Sequence, residues 1–182
     1  MLTIITPCSR QNNIPKLFNS INFDKISKWI IVYDTSKNRT YNTLYKDHSK
    51  ILEVECNDIG VSGNPPRNYG MTLVEDGYIY FLDDDNIIHP GFWSIVDTLD
   101  NEKFYTFNQL RDKKGRVLYG NNISINKIDT AMFIVHKKHI GDIKWQTHKY
   151  DADGYFICNI HTNNKDLHTY INSTASYYNF IE

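Results

Sequence analysis

Residues 78–86 read Tyr78-Ile79-Tyr80-Phe81-Leu82-Asp83-Asp84-Asp85-Asn86, and this stretch decides the fold that we expect. Its first five residues are all aromatic or aliphatic. Continuous apolar runs of this length are typical of strands buried on both faces, as in a parallel sheet. Three aspartates follow directly, at the carboxyl end of the strand, where open α/β sheets bind their ligands. The stretch therefore predicts a buried strand that carries carboxylates into a binding site.

Three earlier apolar runs have the same character and alternate with helical patterns. We predict strands over residues 2–6, 29–33 and 51–55, and helices over residues 12–21 and 65–75. The second of these helices begins with two prolines, which suit the first turn of a helix. The alternation of strand and helix predicts a three-layer α/β domain.

The pattern changes after the aspartates. We predict helices over residues 91–99 and 150–160, a turn at residues 113–115, and strands over residues 104–110, 116–119 and 131–135. The polar tail that begins at residue 163 has no pattern that we can assign. Because no repeat or linker interrupts the sequence, we predict a single domain over residues 1–182.

Composition and charge exclude several classes of protein. The formal net charge is -1 over 182 residues, so we expect no nucleic-acid partner and no general attraction to anionic membranes. No apolar run approaches the roughly 18–20 residues that span a bilayer, so we expect no transmembrane segment. The three cysteines are widely spaced, which suits a reducing compartment, and the N-terminus lacks the features of a signal peptide. We therefore expect a cytoplasmic protein.

Polar side chains with binding chemistry follow three of the four predicted N-terminal strands. In chain order they are Thr6, Pro7, Cys8, Ser9 and Arg10, then Asp34, then Asp83, Asp84 and Asp85. Three adjacent carboxylates repel one another unless a cation or hydrogen-bond donors offset their charge. Mn²⁺ or Mg²⁺ would suit them, because such hard ions prefer oxygen ligands and commonly keep contacts to substrate phosphates. The strand ends therefore predict a metal site that also binds a phosphate-bearing ligand.

Arg67 lies at the start of the helix that precedes the acidic strand. Its guanidinium is predicted either to reach a phosphate or to hold the aspartate loop through a bidentate bond. An ordinary surface arginine is the alternative that this residue alone does not exclude.

Together these segments resemble family 2 glycosyltransferases of the GT-A fold. That family combines an Arg-Asn-x-Gly helix, a glycine, an apolar strand and a D-x-D-type motif. The matching residues here are Arg67-Asn68-Tyr69-Gly70, Gly77 and the stretch 78–86, followed by Pro90-Gly91-Phe92. The resemblance is good over residues 1–99 and weaker beyond. It implies a GT-A three-layer α/β/α sandwich with a mostly parallel central sheet, with residues 1–99 as the nucleotide-sugar donor half and residues 100–182 as the acceptor half.

The resemblance also implies roles for individual residues on the donor side. It places a nucleotide-sugar, with a UDP-sugar favoured, in a pocket whose nucleoside end is lined by Thr6, Pro7, Ser9, Arg10 and Asp34. Asp83 and Asp84 are expected near the ribose and the diphosphate. Asp85 is expected to coordinate Mn²⁺ or Mg²⁺, with Asp83 and His168 as further candidate metal ligands. Arg67 and Asp129 complete the predicted contacts to the nucleotide-sugar.

On the acceptor side, the resemblance implies a carboxylate that acts as general base in an inverting transfer. We predict that Asp153 is this base. Asp151 is expected either to cap the following helix or to contact the acceptor. Trp145 is expected either to stack on a sugar or to pack in the core. The acceptor class stays open between saccharide, protein and lipid, as does assembly into a homo-oligomer.

Other activities fit the sequence less well. A phosphotransferase of the haloacid dehalogenase type would carry its Asp-x-Asp motif after the first strand, whereas the aspartates here follow the fourth. A nucleotidyltransferase would need a glycine-rich phosphate loop after the first strand, and residues 7–13 contain Arg10 but no glycine. Because the chain is short for the family, a subunit that binds a nucleotide-sugar without transferring it also stays open.

Overall fold

The computed structural model describes residues 1–111 and 115–181. Its strands are β1 (Leu2–Cys8), β2 (Lys28–Asp34), β3 (Ile51–Cys56), β4 (Tyr78–Phe81), β5 (Ile87–Ile88), β6 (Phe104–Leu110), β7 (Val117–Leu118), β8 (Phe133–His136) and β9 (His168–Tyr177). Its α-helices are α1 (Ile14–Phe18), α2 (Asn64–Thr72), α3 (Phe92–Val96), α4 (Lys137–Ile140) and α5 (Ala152–Asn163).

The nine strands in these residues form one sheet. The order is β3-β2-β1-β4-β8-β6-β9-β5, and β7 pairs with β6. The first four strands of this order run parallel. Beyond them, β8 is antiparallel to both of its neighbours, and β9 is parallel to β6. Since β1, β2 and β4 are parallel, their carboxyl ends meet at the same edge of the sheet.

Apolar side chains cover both faces of the sheet, so the fold has three layers. Along β4, Tyr80 packs into the layer that contains α1 and α3, whereas Phe81 packs into the layer that contains α2 and α5. Neighbouring residues of β1 divide in the same way, with Ile4 on one face and Ile5 on the other. Burial on both faces explains why these strands read as continuous apolar runs. The predicted α/β/α sandwich is confirmed.

The predicted and observed elements differ in a few places. β1 continues two residues beyond its predicted end, to Cys8, and the helix predicted over residues 12–21 is reduced to a 3-10 turn and the five residues of α1. The unassigned tail contains β9, a strand of ten residues. Most of the turn predicted at residues 113–115 lies outside the described residues. Among residues 1–111 and 115–181, no helix has the length and apolar character that crossing a bilayer requires.

Candidate active site

An open cavity of about 1000 Å³ lies at the carboxyl ends of β1, β2 and β4. The beginnings of α2 and α5 and the segments that follow β6 and β9 complete its walls. The predicted site residues that line it are Pro7, Ser9, Arg10, Asp34, Arg67, Asp83, Asp84, Asp85, Asp129, Asp151 and Asp153. The fold therefore brings residues from both halves of the sequence around one space.

Asp84 joins the loop after β4 to the loop after β1. It is only 2% exposed. Its Oδ2 accepts hydrogen bonds from the backbone N–H groups of Ser9 (2.7 Å) and Arg10 (2.8 Å), and its Oδ1 accepts one from Arg10 Nε at 2.8 Å. Charge-assisted bonds of this kind are among the stronger hydrogen bonds in proteins. Protein donors therefore hold both oxygens of Asp84, and its predicted place near the diphosphate stays a prediction, since the residue also lines the cavity.

Arg67 holds Asp83 in place from beneath. The arginine is 3% exposed, and its guanidinium donates to Asp83, to the Ser62 carbonyl and to Asn64 Oδ1 at 3.1 Å. The guanidinium carbon also lies 4.6 Å from the ring centre of Trp145, a cation–π distance. Of the two roles predicted for Arg67, the structure therefore shows the contact to the aspartate loop.

Trp145 packs in the core below the cavity. Its ring stacks on Phe156 with centroids 4.5 Å apart and meets Phe81 edge-on at 5.0 Å. It is a buried residue, so the core-packing alternative for Trp145 is the one that the structure shows.

Asp85 also pairs with Arg10, and both residues line the cavity. Its Oδ2 lies 2.8 Å from Arg10 Nη2, and the arginine side chain is half exposed. Burial and the neighbouring negative charge of Asp83 raise the pKa of Asp85, although Arg10 opposes the shift. Within the described residues, the cation paired with Asp85 is therefore a half-exposed arginine that also donates to Asp84.

Asp83 and Asp85 could supply two of the ligands of a divalent ion, with the remaining ligands coming from elsewhere than the protein. Both side chains are partly exposed and line the cavity. Within residues 1–111 and 115–181, no three acidic, histidine or cysteine side chains converge as a larger ligand set. Mg²⁺ sites of nucleotide enzymes commonly use one or two carboxylates and take the remaining ligands from water and substrate phosphates. The carboxylate pair matches that arrangement.

Asp129 lines the same cavity as Asp83 and Asp153. Burial, followed by the negative charges of these two residues, raises its pKa to about 7. Gln109 Nε2 donates to Asp129 Oδ2 at 3.2 Å, which opposes the shift only in part. Three carboxylates gathered in one partly buried space cannot all ionise freely. Asp129 is therefore the group of this set that changes its protonation near neutral pH.

The start of α5 supplies two further carboxylates to the cavity, Asp151 and Asp153. Asp151 occupies the N-cap position, but its side chain makes no capping hydrogen bond. Asp153 lies in the first turn, where its Oδ1 accepts from the Gly154 N–H at 2.7 Å. Burial raises the pKa of Asp153 above its ordinary value. Both carboxylates line the cavity, so neither serves as a simple helix cap.

The far end of the cavity, at β2, carries the residues predicted for the nucleoside. Asp34 Oδ1 accepts from the Ser36 N–H at 3.0 Å, and Arg39 Nη1 lies 3.8 Å from Asp34 Oδ2. Lys37 and Pro7 line the same end. The cavity is therefore more basic near β2 than near α5.

Comparisons with known proteins agree with this architecture at the level of the fold. No family model matches the chain, and no curated protein sequence matches it. Among solved structures, S. aureus TarS 1-349 in complex with UDP superposes with a TM-score of 0.76 at 16% identity, covering 97% of this chain and 59% of that one. The complex of TarS 1-349 with UDP-GlcNAc gives 0.73 at 14% identity, covering 97% and 57%.

The chain has a GT-A fold. A further S. aureus TarS structure superposes with a TM-score of 0.76 at 14% identity, covering 97% of this chain and 36% of that one. The chain therefore spans less than two thirds of the solved structures it matches. The predicted GT-A resemblance is confirmed as a statement about the fold.

Two residues predicted for the site lie elsewhere in the GT-A fold. Thr6 is completely buried, and its Oγ1 accepts a hydrogen bond from Trp29 Nε1 at 2.9 Å. This correction follows from the extra length of β1, which keeps Thr6 inside the strand and makes Pro7 the first residue to reach the cavity.

His168 is the second residue that the structure places away from the predicted site. It begins β9, beside Phe104 at the start of β6, whereas the cavity borders the other end of β6 at Gln109. Five residues of strand, or about 17 Å, separate these positions. His168 Nε2 lies 2.9 Å from Thr106 Oγ1, and burial lowers its pKa to about 4. The metal ligation predicted for His168 is therefore incompatible with its place in the fold.

Several residues that line the cavity were not predicted from the sequence, and all of them lie after residue 100. Gln109, Arg111, Tyr178 and Asn179 all line the cavity. The last two arrive there because the chain after β9 docks on the aspartate loop, where the Asn179 N–H donates to Asn86 Oδ1 at 2.9 Å. The buried Asn86, directly after the aspartates, was the available signal, since a buried amide side chain needs a partner.

The raised pKa of Asp129 predicts that the wild type and a variant without this carboxyl group differ in stability by an amount that depends on pH. The folded protein holds this proton up to about pH 7, whereas an ordinary aspartate releases it near pH 4. Stability is therefore lost as the pH rises through this window. We expect Asp129→Asn to unfold at the same temperature as the wild type at pH 4 and to be more stable by about 2–4 kcal/mol at pH 8.

Thermal and urea unfolding in metal-free buffer at several pH values measure this difference. Asp47→Asn is the matched control, because Asp47 is exposed and outside the cavity. Its difference from the wild type gives the background against which the Asp129→Asn difference is judged. An Asp129→Asn difference that is constant from pH 4 to pH 8 would contradict the raised pKa.

Proposed function

We propose that this chain is a metal-dependent glycosyltransferase that moves a sugar from a nucleotide-diphosphate sugar to an acceptor hydroxyl with inversion. One observation carries the proposal. The carboxylates of the aspartate run and those of Asp129 and Asp153 line the same cavity, at the strand ends of a GT-A fold. This arrangement offers a phosphate-binding end and a proton-accepting end within the space of one substrate pair.

The donor fits the end of the cavity between β2 and β4. Asp34 and the basic side chains beside it suit a nucleoside, and Arg10 suits a phosphate because its guanidinium is half exposed. The S. aureus TarS structures, which include UDP and UDP-GlcNAc complexes, support a UDP-sugar as the first candidate. The low identity leaves the sugar itself to experiment.

Asp85 and Asp83 would hold Mn²⁺ or Mg²⁺, whose chemistry is to offset the negative charge that develops on the leaving diphosphate. Arg10, whose side chain is half exposed beside Asp85, would be available to contact the diphosphate. Arg67 keeps Asp83 oriented toward the cavity, and the bonds from Ser9 and Arg10 to Asp84 keep the two loops together. These contacts position the donor without themselves taking part in bond changes.

The acceptor fits the end near α5. Its hydroxyl oxygen attacks the anomeric carbon while the proton passes to the Asp153 carboxylate, and the bond between the anomeric carbon and the UDP oxygen breaks. Attack from the face opposite the departing UDP inverts the anomeric centre. The raised pKa of Asp153 favours this role, because a stronger base takes a hydroxyl proton more readily.

A binding subunit without transferase activity is the second candidate. The chain spans less than two thirds of the length of the TarS structures that it matches. The two functions differ in turnover. A catalytic chain consumes a nucleotide-sugar, whereas a binding subunit only retains it.

Ligand-induced thermal shifts test the donor site. At a nucleotide-sugar concentration of about 100 times its Kd, binding stabilises the folded protein by roughly 2.7 kcal/mol, which raises Tm by about 5–10 °C for a chain of this size. We expect this shift from a UDP-sugar with Mn²⁺, and a much smaller one without the metal. Asp85→Ala should remove the part of the shift that depends on Mn²⁺.

Asp47→Ala is the matched control, since it removes an exposed carboxylate outside the cavity and should leave the shift intact. UDP-, GDP-, CMP- and dTDP-sugars are compared in the same screen. If none of them stabilises the wild type with Mn²⁺, the donor site is disproved. Release of the free nucleotide from the best ligand then separates the transferase from the binding subunit.

A further inference from the structure

Tyr150 presents an uncovered aromatic ring at the mouth of the cavity. Its side chain is 87% exposed and borders the cavity directly before Asp151. In the part of the chain that the structure describes, the ring makes no hydrogen bond, ion pair or aromatic contact. Aromatic side chains commonly line ligand-binding sites, where they offer a flat apolar face together with a polar end.

The backbone that carries Tyr150 is fixed. Asn64, which is buried at the start of α2, donates from Nδ2 to the Gln146 carbonyl at 3.0 Å and to the Lys149 carbonyl at 2.8 Å. The Lys149 N–H also donates to the Gln146 carbonyl at 3.1 Å. The ring therefore projects from a rigid loop, so ordering of the backbone costs little free energy when a ligand stacks on it.

Val61 lies on the same rim. It is 37% exposed and borders the cavity, and its N–H donates to the Thr147 carbonyl at 2.9 Å. Asp151 and Asp153 also lie in this part of the cavity wall. The rim thus combines a flat aromatic face and one aliphatic side chain with hydrogen-bond acceptors that carry negative charge.

A neutral saccharide matches this combination of groups. Its ring has an apolar face of C–H groups that an aromatic side chain can cover, and its hydroxyls donate hydrogen bonds to carboxylates. An anionic ligand would be repelled by Asp151 and Asp153. A lipid chain would need a continuous apolar groove, which the carboxylates interrupt.

The geometry points to Tyr150 as the platform on which a neutral saccharide acceptor stacks, with its attacking hydroxyl directed toward Asp153. The inference rests on the proposed function for the meaning of the site as an acceptor site. Saccharide binding itself does not require a donor, so the two are tested separately.

Ligand-observed NMR titrations test the platform. The probes are the neutral methyl β-glycosides of glucose, galactose and N-acetylglucosamine, with glucose 1-phosphate as the charged comparison. We expect at least one neutral glycoside to bind the wild type more tightly than glucose 1-phosphate. Tyr150→Ala should weaken its binding roughly five- to tenfold, and Tyr150→Phe should keep it within about twofold.

Tyr69→Ala is the matched control, because Tyr69 is an exposed tyrosine on α2 outside the cavity wall. It should bind the glycoside like the wild type. UDP is titrated into the same four proteins, and its affinity should not depend on Tyr150.

Three results would overturn the platform. One is the absence of binding by any neutral glycoside to the wild type, and another is equal binding by Tyr150→Ala. The third is a Tyr150→Ala loss that falls on UDP instead, which would make the ring a nucleobase contact. Failure of UDP to bind any of the proteins would count against the proposed donor site, while glycoside binding that depends on Tyr150 would still support the platform.

Discussion

Replacing Arg67 by methionine is expected to lower the free energy of unfolding by about 2–4 kcal/mol. Methionine approximates the length of the arginine side chain but removes its charge. Asp83 then loses its partner, and the Ser62 carbonyl and Asn64 Oδ1 lose a donor in a place with little access to water. The cation–π contact to Trp145 is lost as well. Urea unfolding measures the change.

Arg39→Met is the control for this change. Arg39 is also close to an aspartate, Asp34, but at 3.8 Å and on an exposed side chain. Pairs of this kind contribute about 0–1 kcal/mol. A loss of stability in Arg67→Met no larger than in Arg39→Met would show that the Arg67 contacts do not stabilise the aspartate loop.

A double-mutant cycle separates the charge pair from the other contacts of Arg67. Asp83→Asn alone leaves the buried guanidinium without its counterion, which is costly. Once Arg67→Met has removed that cation, the same change to asparagine should cost less. The double variant should therefore lose less stability than the sum of the losses in the two single variants, by about 1–3 kcal/mol. Strict additivity would place the two side chains in separate environments.

The apolar runs predicted the centre of the sheet well, because their burial is a local property of the sequence. Each of β1, β2 and β4 packs on two faces, so almost every residue of the strand must be apolar. β9 was not predicted, because it lacks this burial on both faces. Its side chains are mostly half-buried, and its sequence is polar, so neither of the usual patterns appears. Pairing with β6 fixes it in place.

The positions of the site residues were easier to predict from the sequence than the role of each side chain. Strand ends place side chains at an edge of the sheet, and this was enough to gather the aspartates with Asp34 and Arg10. The partner of each carboxylate depends on contacts between distant parts of the chain, such as that of Asp84 with Ser9, 75 residues earlier. No local pattern reports such contacts. Nothing local in the sequence therefore indicated that Asp84 also holds two loops together.

Replacing Asp153 by asparagine is expected to reduce sugar transfer by about 10²- to 10⁴-fold while leaving UDP-sugar binding within about twofold. The amide occupies the same volume but cannot accept the proton of the acceptor hydroxyl. The donor contacts at β2 and β4 stay unchanged. Transfer is measured as UDP release that requires an acceptor, and binding as the Mn²⁺-dependent thermal shift. A transfer rate within tenfold of the wild type would exclude Asp153 as the base.

Asp151→Asn is the matched comparison, because both carboxylates come from the start of α5 and line the same cavity. The two differ in environment. Burial raises the pKa of Asp153, and its Oδ1 is held by the Gly154 N–H. An acceptor contact at Asp151 should raise the KM for the acceptor and change kcat little, whereas loss of the base lowers kcat. If Asp151→Asn instead lowered kcat and Asp153→Asn raised the KM for the acceptor, Asp151 would be the base and Asp153 the acceptor contact.

The pH profile of the wild type gives an independent test of the base. If Asp153 takes the proton, the loss of activity on acidification should begin above the ordinary pKa of an aspartate.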